Sequence, residues 1–189
     1  MPKILDQLHE EHRNISRLLA VLERELAVFD RAERPDYDVL RAVADYFNGF
    51  PETTHHPKED LILYLMRDKY PEQAAKMADL PIEHEKIGML AQMFQYVIED
   101  VLKEAELPRA SFHSAIQNFV DQQRKHMKME ETFFFPIVKR TLTEEDWAAL
   151  EAEPIGEQDP IFGADVAEQY AGLYKDIIAW EKENEEAAQ

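Results

Sequence analysis

His126-Met127-Lys128-Met129-Glu130 sits in the middle of an apolar seam and decides how the chain is read. Steps of four and three outward from it give Phe112, Ile116, Phe119, Gln123, His126, Glu130, Phe133 and Ile137, a core stripe at helical spacing. The ends of that stripe are aromatic or aliphatic, but its middle holds an amide, an imidazole and a carboxylate. A carboxylate inside a core is costly unless something partners it. His126 and Glu130 are four apart and face the same way, one turn from each other. Aimed together into a helix bundle they form a metal-ligand pair, provided that other helices answer.

The rest of the chain answers. His55-His56-Pro57-Lys58-Glu59-Asp60 repeats the pattern of a His, three residues, a Glu and a second acid. Leu61, Ile62 and Leu63 follow it, as Thr132, Phe133 and Phe134 follow the first copy. Two more histidines stand in Glu11-His12 and Glu83-His84.

Composition narrows the class. The 189 residues suit one domain with an appendage, and 45% hydrophobic content allows a full core. Five glycines favour long helices over sheet and turns, and the absence of cysteine excludes disulfides and thiolate metal sites. A formal charge of −18 argues against binding a phosphate backbone and reads as a solvated acidic surface. No apolar run approaches a signal peptide or a membrane span, so a soluble cytoplasmic protein is expected.

Four long helices are predicted. The first runs from about Lys3 to Asp30, with Leu5, Leu8, His12, Ile15, Leu19, Leu22, Leu26 and Phe29 as its seam. The second runs from about Asp36 to Lys69, with a kink or bulge beside His55 because Pro51 and Pro57 lie inside it. The third spans about Glu72 to Ala105, with Leu80, His84, Ile87, Ala91, Phe94 and Ile98 inward; the fourth spans about Arg109 to Arg140. We expect residues 1–140 to form an up-down-up-down four-helix bundle, and 141–189 to form a helical extension that packs on the bundle or on a partner. Within the extension, Thr143-Glu144-Glu145-Asp146 reads as a capping box, and a last helix from about Ala164 carries Val166, Tyr170, Leu173, Ile177 and Trp180.

In antiparallel helices joined by short connections, the four histidines fall within ~6 Å of one another in depth at ~1.5 Å rise per residue. Glu59 and Glu130 sit one turn nearer the same end. Four nitrogens and two carboxylates suit two ions. Mixed N/O donors with open positions favour iron or manganese over structural zinc.

At His12, His55-x-x-x-Glu59, His84 and His126-x-x-x-Glu130 the chain resembles the hemerythrin-like, or HHE cation-binding, family over roughly residues 1 to 140. The resemblance implies an all-α bundle around a non-haem di-iron centre. His12 and His55 would serve one iron and His84 and His126 the other, with Glu59 and Glu130 bridging, and manganese or zinc as substitutes. It implies a small partner, O2, nitric oxide or peroxide, which the protein binds or senses. The alternative is an iron donor or enzyme in iron–sulfur repair or peroxide reduction. Gly88 stands where oxygen-carrying hemerythrins have a fifth histidine, which argues against simple oxygen carriage and suggests an open coordination position. A metal-free interaction bundle is the structural alternative, and a second copy of the chain is a candidate partner through the last helix. Glu11, Asp60, Glu83 and Glu131 are candidates to orient the imidazoles. His56 is the alternative to His55, which is preferred because it shares a face with Glu59 and the Ile62–Met66 stripe. His9 and His113 are assigned to the surface, with an orienting role as the alternative for His9.

Overall fold

A computed structural model describes residues 2–154, 156 and 158–187. The fold is all-α: a four-helix bundle with up-down-up-down connectivity and an added C-terminal helical layer. The first bundle helix is α1 (Lys3–Asp30). The second is built from α2 (Tyr37–Phe47), a π-helical turn (Pro51–His55) and α3 (His56–Lys69). After a short α4 (Pro71–Ala74), the third is α5 (Leu80–Leu102). The fourth joins α6 (Arg109–Met129), a second π-helical turn (Glu130–Phe134) and α7 (Phe135–Thr141). The extension contributes α8 (Glu144–Ala152) and α9 (Ala171–Ala187). No described helix is long and apolar enough to cross a membrane.

The two π-helical turns share one cause. The His56 amide donates to the Pro51 carbonyl and the Phe135 amide to the Glu130 carbonyl, five residues back in each case. The next residue is a proline both times, Pro57 and Pro136. A proline ring crowds the carbonyl four residues earlier, here Thr53 and Thr132, so the ladder opens just before it. Thr53 and Thr132 donate their hydroxyls to the carbonyls of Gly49 (3.0 Å) and Lys128 (2.6 Å), which bends the helix further. The expected bulge beside His55 is present, and its twin lies beside Glu130.

Three sequence expectations need correction. The second helix is not continuous: it relaxes into a turn at Asn48-Gly49 before the π-helical segment. The third starts at Leu80 rather than near Glu72, because Pro71 opens only a short turn and Pro81 sits in the first turn of α5. Phe133, placed in the seam by a uniform helical period, is exposed, while Phe134 is fully buried. The extra residue of the π-helical turn advances the inward face by one position.

Among the described residues the core has two apolar clusters. One contains Leu5, Leu8, Ile62, Met66, Leu80, Phe134 and Val138; the other contains Ile15, Leu19, Phe47, Ile87, Phe94, Phe119 and Val120. Along the helices the polar residues fall between them: His12 between Leu8 and Ile15, His84 between Leu80 and Ile87. The extension joins both clusters, with Trp147 and Leu150 in the first and Tyr170, Leu173 and Ile177 in the second. The capping box at Thr143 and Asp146 forms as read. Asp146 also takes hydrogen bonds from Tyr70 (2.7 Å) and Lys69, which ties α8 to the end of α3.

Candidate metal centre

His12, His55, Glu59, His84, His126 and Glu130 all reach the polar layer between the two clusters, each at most 5% exposed. α1 and α5 deliver one histidine each. The π-helical turns and the helices they join deliver the two His-x-x-x-Glu pairs. The four Nε2 atoms converge on the two carboxylates. Glu130 Oε2 lies 3.3 Å from His12 Nε2, while its Oε1 lies 3.0 Å from His126 Nε2 and 3.5 Å from His84 Nε2. Glu59 Oε1 faces His12 at 3.7 Å; its Oε2 faces His55 at 3.6 Å and His84 at 3.4 Å. Both carboxylates therefore stand between the His12/His55 pair and the His84/His126 pair. Donor atoms of His12, His55 and Glu59 form one compact group, and those of Glu59, His84, His126 and Glu130 another.

Each imidazole turns its other nitrogen outward to a carboxylate. His12 Nδ1 meets Glu131 at 2.8 Å, His55 Nδ1 meets Glu11 at 2.8 Å, His126 Nδ1 meets Glu83 at 3.1 Å, and His84 Nδ1 contacts Asp60 at 3.2 Å. These four acids are the candidates singled out from the sequence. Such outer carboxylates set the ring tautomer, leaving Nε2 as the inward lone pair, and make the imidazole a better donor.

The electrostatics follow from burial opposed by neighbours. Burial pushes the His12, His84 and His126 imidazoles down, but the carboxylates around them outweigh it and hold all three above the ordinary imidazole range. Burial pushes Glu59 and Glu130 up, and the surrounding imidazoles outweigh it and hold both below the ordinary carboxylate range. Glu11 is likewise held low against burial, by His55 and Lys58. The layer therefore calls for positive charge at its centre. The four inward Nε2 atoms and both oxygens of Glu59 and of Glu130 are buried and make no hydrogen bond. Orphaned donors of this kind, imidazole nitrogen and carboxylate oxygen facing each other with nothing else to satisfy them, fit a cation site.

Some placements escaped the sequence reading. His56 is buried beside His55, its ring stacked on His84 with centroids 4.2 Å apart. The π-helical turn is the signal that turns two consecutive residues inward. His9 is not simply a surface residue: its Nδ1 shares Glu131 with His12, at 2.9 Å. His113 lies outside, 3.4 Å from Asp30. The space beside Gly88 is not open, since a Cβ there would meet the Glu52 carboxylate at 3.1–3.3 Å. The glycine thus permits close approach of a side chain from the second helix.

No match was found among curated proteins or among solved structures. The model of the Hemerythrin HHE cation binding domain matches residues 3–138, which hold all six inward residues and the four outer acids. The chain belongs to the hemerythrin HHE cation-binding family.

Proposed function

We propose that the chain is a non-haem di-iron protein that binds or senses a small oxidant: O2, nitric oxide or peroxide. The observation that carries this reading is the pair of buried carboxylates, each facing imidazoles on both sides, with all their oxygens free of hydrogen bonds. His12 and His55 would hold one ion, His84 and His126 the other, and Glu59 and Glu130 both. Iron bound there supplies reversible redox chemistry and affinity for diatomic ligands and peroxide. The chain's own residues do the rest. Glu11, Asp60, Glu83 and Glu131 orient the rings, and the apolar clusters on either side keep bulk water from the layer. A surface cleft lined by His9, His12, Met127 and Glu131, with Arg13, Arg17, Arg124 and Lys128 around it, brings solvent to the His12 side.

The test is elemental analysis after iron-replete expression, joined to the visible spectrum of anaerobically reduced protein before and after O2 or nitric oxide. About two irons per chain and a spectral change on exposure are expected. Protein without transition metal would remove the reading. Zinc alone would leave the site and overturn the oxidant role.

A further inference from the structure

His56 is a buried imidazole that the six-residue centre does not use. It is 3% exposed, and neither ring nitrogen makes a hydrogen bond. A buried imidazole with both nitrogens unsatisfied is costly. Its ring lies nearly parallel to His84, at an interplanar angle of 11°, and edge-on to His126 with centroids 5.9 Å apart. One nitrogen each from His56, His84 and His126 can be chosen so that all three lie within 4.8 Å of one another. On the far side, His56 Nδ1 lies 3.3 Å from Glu52 Oε1. This repeats the relation of the other inward histidines to their outer acids. Glu52 in turn occupies the space over Gly88.

We propose that His56 is a fifth imidazole donor of the centre, on the side of His84 and His126, with Glu52 as its orienting carboxylate and Gly88 making room for that carboxylate. α5 carries no side chain one turn after His84, and the second helix fills the position from across the bundle. The Pro51–His55 π-helical turn makes this geometry available by presenting His55 and His56 inward in succession. His55 then serves the half nearer α1 and His56 the half nearer α5 and α6.

The proposal rests on the metal-binding reading, and its test separates the two. Anaerobic Fe(II) titration against a competing chelator, with the Mössbauer spectrum of protein loaded with ⁵⁷Fe, is run on the parent, His56→Ala and His56→Phe. Phenylalanine keeps a ring stacked on His84 and removes both nitrogens. The expected result is that both variants bind one iron as the parent does and the other about tenfold or more weakly. The spectrum of one iron site should change, and added imidazole should restore the parent spectrum in His56→Ala. If His56→Phe matches the parent in affinity and spectrum, the ring serves packing and the proposal is overturned. The same holds if added imidazole leaves the His56→Ala spectrum unchanged. A parent that takes up no iron overturns the metal reading and this proposal with it, whereas a parent with two irons and an unaltered His56→Phe overturns this proposal alone.

Discussion

His55 Nδ1 lies 2.8 Å from Glu11 Oε2, and the other oxygen of Glu11 takes the buried Lys58 ammonium. One acid on α1 therefore fixes the ring of an inward histidine on the second helix and neutralises a cation beside it. Glu11→Ala removes both relations and leaves Lys58 buried without its partner. Metal affinity is expected to fall about 10–100-fold, the usual cost of losing an outer carboxylate. Chelator competition checks it, and Glu11→Gln should fall between the variant and the parent.

Removing the metal should unsettle the fold. The orphaned atoms of His12, His55, Glu59, His84, His126 and Glu130 occupy one layer between two apolar clusters. An ion that binds only the folded chain at about 100 times its Kd adds ~2.7 kcal/mol. At roughly 2–4 °C per kcal/mol for a chain of this size, chelation should lower Tm by about 5–10 °C. A calorimetric melt with metal removal confirmed by elemental analysis is the measurement, and an unchanged Tm contradicts the expectation.

Metal uptake should release protons. His12, His84 and His126 are held above the ordinary imidazole range by the carboxylates around them, so in metal-free protein they keep their protons to higher pH than a free imidazole does, and an ion must displace those protons. The stability sign follows. The raised imidazoles stabilise the metal-free fold below about pH 6.5, and that contribution is lost as pH rises through their folded-state values. The depressed Glu59 and Glu130 contribute above about pH 4.5, and their contribution is lost as pH falls through theirs. Metal-free protein is thus best supported by these groups between about pH 4.5 and 6.5, and the gain in Tm on metal binding should grow as pH rises above that window. Calorimetric titration in two buffers of different ionisation enthalpy measures the protons released.

Gly88→Ala is expected to raise stability slightly and to keep the metal. Alanine recovers ~1 kcal/mol of helix propensity. The new methyl would meet the Glu52 carboxylate, the end of a flexible side chain that is 37% exposed and has room to shift. A net gain of about 0.5 kcal/mol, or a rise in Tm of roughly 1–2 °C, is expected in metal-free protein. Gly88→His must displace Glu52 altogether, so early melting is expected of it and not of Gly88→Ala.

Asp146 joins the extension to the bundle. It is 1% exposed, closes the capping box of α8, and accepts from Tyr70 and Lys69. Hydrogen bonds from Lys69, Thr143 and Tyr70 hold its carboxyl below the ordinary range. Its contribution is present above about pH 4 and lost as pH falls through the depressed value. Asp146→Asn should lower Tm by several degrees at pH 7, and the difference from the parent should shrink in acid. Thermal melts at pH 7 and pH 3 check both statements.

Much of this molecule was legible in its residues because helical periodicity is local. His12 and His84 each interrupt an apolar stripe, and the two His-x-x-x-Glu repeats place both carboxylates one turn from an imidazole. These spacings were enough for the all-α bundle and for the meeting of six residues in one layer. The outer acids were legible for the same reason, since Glu11, Asp60, Glu83 and Glu131 each adjoin an inward residue in the chain. Tertiary structure decided what depends on departures from a uniform period and on contacts between distant helices. Prolines 57 and 136 open the ladder by one residue, which puts His56 and Phe134 inside and Phe133 outside. The pairing of each acid across the bundle, Glu131 with His12 and Glu11 with His55, follows from helix rotation, which no single stripe specifies. Likewise, Gly88 reads alone as a gap, but Glu52 comes over it from another helix and fills the space.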